Sequence, residues 1–286
     1  MQIKQPVDAR SFLLEHVTRD AIEYFGTSST EFLNSVTDMW MDDNYGGCAQ
    51  FRLDEIREHL PDTTSILDMS SGCGTFVFCA LKQGFQAYGI EPEPWKNAFC
   101  RLKINERNYP ARWNNFFIQS IGEQLPFHDN FFDCISTFQT LEHVQNIEQC
   151  IDEMLRVVKS GGGLHIRCPD YRSTYEGHYL LPWLPMMPKP LARLYLKLIR
   201  RPLAGLDTVS YSTRGQIERL LKECACKQAL SITIVNMNKE YYKKKLKEKR
   251  LPVSLIVLYP FLRGLAYLRY LFKADLNVGL FVTVMK

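Results

Sequence analysis

Short apolar runs alternate with amphipathic segments from Ser65 onward. The runs occupy Ser65–Met69, Gln86–Ile90, Phe132–Phe138 and residues 164–168. Between the last two runs, apolar residues recur at helical spacing over 147–158, with Asn146 and Gln149 as a capping pair and the glycines at 161–163 as the predicted stop. Strands that alternate with helices predict βαβ units and a parallel sheet.

The predicted sheet domain, residues 61–286, carries additions at three points. Residues 1–60 show no strand-like regularity, and the apolar residues at 51, 53, 56 and 60 have roughly helical spacing, which predicts an N-terminal helical cap. The alternation of strands and helices stops after Cys168, which predicts an insertion at about 170–212, before a helix with Ile217 and Leu221 on one face. Strands at 231–235 and 279–285 are predicted to form a terminal hairpin that is interrupted by a second insertion at 238–276.

The first strand runs into a turn of small residues and then into a helix. The turn spans residues 70–74 and contains Gly72 and Gly74. Glycines let backbone N–H groups approach a ligand closely at the carboxyl end of a strand, where open α/β sheets bind cofactors. Glu91 follows the next strand, roughly twenty residues after the turn, and an acid there can accept two hydrogen bonds from ribose hydroxyls. This spacing favours a nucleoside-containing cofactor.

Several stretches, in order, resemble the class I S-adenosylmethionine-dependent methyltransferases, in particular the type 11-like methyltransferase domain. They read LDMSSGCG at 67–74, LPF at 125–127, FD at 132–133, LEH at 141–143 and LRVVKSGG at 155–162. The resemblance covers residues 62–170 and implies an α/β, Rossmann-like fold, with a mostly parallel sheet, a terminal antiparallel hairpin and helical insertions. It also implies S-adenosyl-L-methionine as the cofactor.

The resemblance assigns cofactor contacts to particular residues. It implies that Asp68 orders the turn and approaches the methionine ammonium, and that Gln139 lines the methyl-donor pocket. Two positions depart from the family pattern. Ser70 stands where the family has the first glycine of the turn, although Gly72 and Gly74 match. Ile121 stands where the family often has an acid for the adenine amino group, so Glu123 or a backbone carbonyl is expected to accept that hydrogen bond.

The segment after the last parallel strand is rich in groups that bind hydroxyls. A hydroxyl acceptor benefits from a general base, most often histidine. His178 is the predicted base, with Asp170 or Glu176 as its orienting partner. The alternative is a rigid loop with a surface histidine. Upstream, Glu142 is predicted to order a loop, and His143 to pack or hydrogen-bond near the site mouth.

Cysteine and histidine spacing favours neither a metal site nor a disulfide framework. The nine cysteines include no CxxC pair, and we predict no metal and a reducing, cytoplasmic location. One reservation stands, because Asp170 with Asp129 could hold a divalent cation of the kind that some diol methyltransferases use. The N-terminus lacks the apolar core of a signal peptide, and no apolar run is long enough to span a membrane.

Positive charge is concentrated in two apolar segments. Residues 177–206 carry +5 and residues 239–274 carry +8, so the rest of the chain carries −9 of the net +4. Basic amphipathic segments with aromatic residues are typical of elements that lie on an anionic membrane. The chain is therefore predicted to lie on the inner face of a membrane. The alternative is a lid or homodimer contact whose lysines are solvated. Nucleic acid is not an expected partner, because an acidic body opposes phosphate contact.

Two hypotheses about function remain open. The first is a methyltransferase that O-methylates a hydroxyl of a sugar or lipid-linked glycan. Its enzymatic alternatives act on a small metabolite, a quinone-like lipid, or a nitrogen of RNA or protein. The second is an inactive binding protein with this fold, which the departures at Ser70 and Ile121 motivate.

Overall fold

The computed structural model describes residues 8–179, 181–237 and 277–286. Three helices precede the sheet: α1 (Ala9–Asp20), which continues as a π-turn (Ala21–Phe25), α2 (Thr30–Met41) and α3 (Cys48–His59). Capping side chains fix two of their starts, since Asp8 accepts a hydrogen bond from Ser11 N and Ser29 accepts one from Phe32 N. Helices therefore fill most of the described part of the predicted cap.

The sheet region follows in alternating order. It comprises β1 (Ser65–Met69), α4 (Thr75–Lys82), β2 (Gln86–Ile90), α5 (Pro94–Glu106), a 3₁₀ turn (Ala111–Phe116), β3 (Phe117–Ile118), β4 (Phe132–Phe138), α6 (Ile147–Val157) and β5 (Val158–Pro169). The remaining described elements are β6 (Tyr175–Glu176), β7 (Leu181–Pro182), α7 (Lys189–Leu198), α8 (Ala204–Thr208), α9 (Arg214–Lys227), β8 (Ser231–Asn236) and β9 (Asn277–Met285).

The described strands form a seven-stranded sheet in the order β3-β2-β1-β4-β5-β9-β8. β1 pairs in parallel with β2 and β4, and β5 pairs in parallel with β4. β9 is antiparallel to both of its neighbours, β5 and β8. The predicted α/β class, with a mostly parallel sheet and a terminal antiparallel hairpin, is confirmed.

The sequence-based boundaries hold for β1, β2 and β4 but not for β5. The 161–163 glycines do not end α6. Val158 is already extended as the helix C-cap and pairs with Phe132, so the strand begins directly after the helix and contains the glycines. Gly163 is required inside the sheet because a Cβ there would lie 2.6 Å from Phe281 Cζ. The two-residue strand β3 was not predicted, because so short a run has no periodicity.

The insertion after β5 has a small apolar core of its own. Trp183, Leu196 and Leu206 are buried there together with Tyr179. β6 and β7 form a separate two-stranded ribbon before α7. The predicted basic insertion at 238–276 lies outside the described residues. Within the described ranges, no helix has the length and apolar character needed to cross a membrane.

One buried carboxylate joins the end of α2 to the sheet domain. Asp43 Oδ1 lies 2.7 Å from Lys103 Nζ, Asp43 Oδ2 accepts a hydrogen bond from Tyr109 at 2.5 Å, and Lys82 pairs with the same carboxylate. Burial alone would raise the pKa of Asp43, but the lysines and Tyr109 outweigh it and lower the pKa to about 2. The Lys103 side chain has no exposed surface, so this carboxylate is its necessary counter-charge.

Replacing this carboxylate should change both stability and its pH dependence. Because the pKa of Asp43 is lowered in the folded state, its contribution is present above about pH 4 and is lost as pH falls toward 2. Asp43→Asn should reduce the free energy of unfolding by about 3–5 kcal/mol at pH 7. It should also make the free energy of unfolding depend less on pH in the acid range. Urea denaturation between pH 2 and 7 measures both effects. The exposed Asp62→Asn is the control, and equal curves for the two variants would contradict this role.

Candidate functional site

The turn after β1 has the geometry of a ligand-binding loop. Ser70 and Gly72 have positive φ angles of 63° and 55°, and Gly74 caps α4 with a φ of 75°. Ser71 N donates to Ile90 O at 2.8 Å, and Gly74 N donates to Ser71 O at 2.9 Å. A left-handed conformation costs a residue with a Cβ about 1–2 kcal/mol. The turn therefore forms with Ser70 in the glycine position, at a modest cost in strain.

The two glycines of the turn do different things. Gly72 lines the adjacent cavity. Gly74 does not, and a Cβ at that position would lie 2.6 Å from Phe117 Cε1 and 2.9 Å from Cys100 Sγ. Gly74 is thus needed for close packing of the start of α4 against β3 and α5. Because it does not line the cavity, the geometry gives no support to the expectation that Gly74 contacts the cofactor.

Glu91, after β2, is held directly against the turn. Its Oε2 accepts a hydrogen bond from Gly72 N at 2.9 Å, and its Oε1 accepts one from Glu93 N at 3.1 Å. Lys96 Nζ lies 3.5 Å from the same Oε1. The carboxylate is buried yet lines the cavity, so it is oriented before any ligand arrives.

Asp68 is paired with an arginine that sequence analysis did not single out. Arg52, on α3, donates to Asp68 Oδ1 and, at 2.7 Å, to Ser136 Oγ on β4. The guanidinium also lies 3.9 Å from the centroid of the Phe76 ring. Both charged side chains line the cavity and are almost fully buried. No local pattern marks Arg52, because its partners lie on other elements.

The two residues predicted to lie near the adenine do not line the cavity. Ile121 is 48% exposed and does not line the cavity. Glu123 does not line it either, because its Oε1 accepts hydrogen bonds from Gln145 N at 2.8 Å and Asn146 N at 3.2 Å, which fix the loop before α6. Gln139, with a φ of 52°, does line the cavity after β4.

Another part of the cavity wall carries two histidines. His178 Nδ1 lies 2.7 Å from Glu176 Oε1, and its Nε2 lies 3.2 Å from His143 Nε2. Both imidazoles line the cavity. Glu142 is fully buried beside them, with Oε1 3.9 Å from His178 Nε2. The LEH stretch therefore reaches the same part of the cavity wall as His178.

Asp170 is not the orienting partner of His178. Its carboxylate accepts hydrogen bonds from Arg172 Nε at 2.9 Å and from Arg214 N at 3.1 Å. These contacts tie the start of the insertion to α9, and the structure gives Asp170 no contact with His178. Of the two candidate partners, only Glu176 bonds to the imidazole.

Burial and neighbouring charges shift the pKa values in this cluster. Burial alone would lower the pKa of His178, but the hydrogen bond and charge of Glu176 outweigh it and raise the pKa. For His143, burial and the nearby His178 lower the pKa. Burial raises the pKa of Glu142 to about 7. Such shifts cluster at functional sites.

A cavity of about 560 Å³ connects the turn to the histidine cluster, which is ample for a small-molecule ligand. Its walls come from three parts of the chain. The N-terminal cap contributes Trp40 and Tyr45, the sheet region contributes the turn and Glu91, and the insertion contributes Tyr179 and Thr208. The site thus depends on both the cap and the insertion.

The Arg52–Asp68 pair should be essential to this arrangement. Arg52→Leu leaves a buried carboxylate without its cation and should cost about 3–5 kcal/mol in the free energy of unfolding. Urea denaturation measures the loss, and adding Asp68→Asn should recover part of it. The exposed Arg57→Leu is the control. Equal losses for Arg52→Leu and Arg57→Leu would contradict the assignment.

Part of the chain is similar to known proteins. A family profile described as "Methyltransferase domain" matches residues 67–166. An uncharacterized methyltransferase from Mycobacterium sp. (strain KMS) is 23% identical over 159 residues, which cover 56% of this chain and 55% of that protein. An uncharacterized methyltransferase from Mycolicibacterium vanbaalenii is 28% identical over 114 residues, which cover 40% of this chain and 42% of that protein. The chain thus spans about half the length of the curated relatives it matches, or less.

A solved structure supports the fold. A candidate S-adenosylmethionine-dependent methyltransferase from Listeria monocytogenes superposes with a TM-score of 0.50 at 12% identity, over 84% of this chain and 100% of that one. At this level of identity, the likeness shows the fold alone.

Proposed function

We propose that this chain binds S-adenosyl-L-methionine and methylates an acceptor in the described cavity, because residues 67–166 match a methyltransferase domain profile. When bound, this cofactor supplies an activated methyl group on a sulfonium. The observation that carries the proposal is one cavity whose wall includes the glycine turn, Glu91 and the His143–His178 pair. Cofactor and acceptor can therefore meet inside it.

The residues around the turn fit the cofactor. Glu91 is buried, lines the cavity and is oriented by Gly72 N, as an acceptor for ribose hydroxyls should be. Ser71 offers a buried hydroxyl that has no hydrogen-bond partner among the described residues. Asp68 supplies a carboxyl group toward the methionine ammonium, and Arg52 opposes the rise in its pKa that burial causes. Trp40 and Tyr45 provide the apolar wall.

Loss of the Glu91 carboxylate should weaken cofactor binding. Hydrogen bonds to a charged group are worth about 1.5–3 kcal/mol, so Glu91→Ala should raise the Kd for S-adenosylmethionine by roughly 10–100-fold. Calorimetric titration of the wild type, Glu91→Ala and the surface control Glu223→Ala measures this change. The variant also loses two turn contacts, so thermal unfolding of each protein should accompany the titrations.

Three outcomes of this titration are distinct. Weakened binding by Glu91→Ala alone supports the cofactor site. Unchanged binding by that variant would remove Glu91 from it. No binding by the wild type would overturn the enzymatic proposal and favour the alternative of a binding protein with a methyltransferase fold.

The acceptor that we propose is a hydroxyl of a sugar or lipid-linked glycan. A hydroxyl must lose its proton on methylation, and the cavity wall around His143 and His178 has groups that can promote that loss. His178 faces the cavity, and Glu176 is a positioning residue that fixes its ring through Nδ1 at 2.7 Å. A small metabolite, a quinone-like lipid, or a nitrogen of RNA or protein are alternative acceptors.

The insertion that supplies His178 also presents an unusual helix. α7 buries Ala192 and Leu196 against the insertion core, but its opposite face exposes Leu194 by 54% and Leu198 by 74%. Lys197 is exposed on the same helix, and exposed Arg200 and Arg201 follow it. An outward apolar stripe beside cations is typical of a helix that lies in the interface of an anionic membrane.

We therefore propose that α7 docks on an anionic membrane, at its cytoplasmic face, where a lipid-linked acceptor would be found. The same insertion contributes Tyr179 and Thr208 to the cavity, so docking would bring the acceptor end of the site near the lipid surface.

Charged substitutions on this stripe should abolish docking. The full chain should sediment with vesicles of phosphatidylcholine and phosphatidylglycerol, but not with phosphatidylcholine alone, and high salt should release it. Leu194→Glu with Leu198→Glu should greatly reduce binding. Ile22→Glu is a matched control, because Ile22 is also 54% exposed but lies on the N-terminal cap. A variant that neutralises Lys243 to Lys247 measures the contribution of the second basic segment.

Two results would contradict membrane docking by α7. If the wild type binds no vesicle, or the double variant binds as the wild type does, α7 is not a membrane surface. A dimer in solution that the double variant dissociates would instead assign the stripe to a homodimer contact.

A further inference from the structure

Three potential metal ligands converge at the acceptor end of the cavity. His143 Nε2 and His178 Nε2 lie 3.2 Å apart, and Glu142 Oε1 lies 3.9 Å from His178 Nε2. One ligand atom from each of the three side chains lies within 4.8 Å of the other two. The histidine rings are nearly perpendicular, at 86°, so they do not stack.

The hydrogen-bond partners of both rings fix where their lone pairs point. His178 Nδ1 faces Glu176 Oε1 at 2.7 Å, and His143 Nδ1 faces the carbonyl oxygen of Thr208 at 3.2 Å. A carboxylate and a carbonyl only accept, so each Nδ1 carries the hydrogen. In the neutral rings, each Nε2 therefore presents a lone pair to the other. This is the outer-sphere arrangement that orients metal-binding histidines in proteins.

Charge and burial favour a cation between these lone pairs. Glu142 has no exposed surface, and neither of its carboxylate oxygens has a hydrogen-bond partner among the described residues. Glu176 is also buried. In the described ranges, no lysine or arginine pairs with either carboxylate. A divalent ion at the two Nε2 atoms would give Glu142 a partner and would offset the negative charge buried beside the imidazoles.

We propose that Glu142, His143 and His178 bind a divalent transition ion, for which Zn²⁺ is the best match. Two imidazoles and one carboxylate are a known catalytic zinc set, with a fourth position left open. Zinc bonds of about 2.0–2.1 Å in a tetrahedron separate ligand atoms by about 3.3 Å, close to the 3.2 Å between the two Nε2 atoms. Two nitrogen ligands disfavour Mg²⁺ and Ca²⁺, which prefer oxygen.

The catalytic meaning of the ion rests on the proposed function. Both histidines line the cavity, so the open coordination position would face an acceptor hydroxyl. A hydroxyl bound to the ion loses its proton to water more readily, and the ion also holds it in position. His178 then acts as a ligand and not as the general base, and Glu176 orients that ligand. This assignment replaces the expectation from sequence that the chain holds no metal.

Metal binding can be tested without an acceptor. The full chain, freed of metal by chelation, should bind one Zn²⁺, and Co²⁺ in its place should give visible absorption bands. Glu142→Gln, His143→Ala and His178→Ala should each weaken Zn²⁺ binding at least tenfold. Glu176→Gln, which alters only the outer sphere, should weaken it by about 10–100-fold. His128→Ala and Cys226→Ser, both at exposed side chains, are controls for adventitious binding.

The outcomes separate this proposal from the cofactor proposal. Absence of stoichiometric Zn²⁺ binding, or binding that none of the four cluster variants weakens, would overturn the metal site. S-adenosylmethionine titrations of the same preparations report independently on the cofactor site. Retained cofactor binding without Zn²⁺ binding would leave the methyltransferase proposal standing. Thermal unfolding of each variant, with Glu142→Gln as the isosteric change, separates lost ligands from lost folding.

Discussion

The Arg52–Asp68 ion pair is the interaction on which the site depends. Removing two charges from water costs several kcal/mol per ion, so a buried pair persists only when its geometry and remaining hydrogen bonds are satisfied. Arg52 contacts Asp68 on β1 and Ser136 on β4, and it stacks on Phe76. One side chain of α3 thereby fixes the N-terminal helices over the carboxyl ends of two central strands. The cofactor end of the cavity is built on this junction.

Ser136 also begins a series of buried hydrogen bonds that runs from β4 through β5 to α3. Ser136 Oγ lies 3.0 Å from His165 Nδ1, whose Nε2 lies 3.1 Å from Glu55 Oε2, and Arg167 donates to that oxygen at 2.7 Å. Burial is the main reason why the pKa of His165 falls to about 4, so this imidazole is neutral at physiological pH. Satisfied networks of this kind make a buried interface specific. The helical cap is therefore part of the site.

The acceptor end is organised differently, by the insertion after β5. The insertion has its own apolar core, which carries His178 and Tyr179 to the cavity and leaves the leucine stripe of α7 facing outward. The methyltransferase profile ends at residue 166, so these features lie outside the matched segment. The proposed cofactor contacts at the glycine turn and Glu91 lie inside the matched segment, whereas His178 lies in the insertion.

Neighbouring residues are enough to predict the strands β1, β2 and β4, the glycine turn and the position of Glu91, because periodicity and turn chemistry are local properties. The folded chain was needed to establish that Arg52 pairs with Asp68, that Glu176 and not Asp170 bonds to His178, and that Ile121 and Glu123 lie outside the cavity. Those outcomes depend on contacts between distant elements. His143 and His178, 35 residues apart, meet only because the insertion folds back over the end of β4, and no local pattern encodes that return.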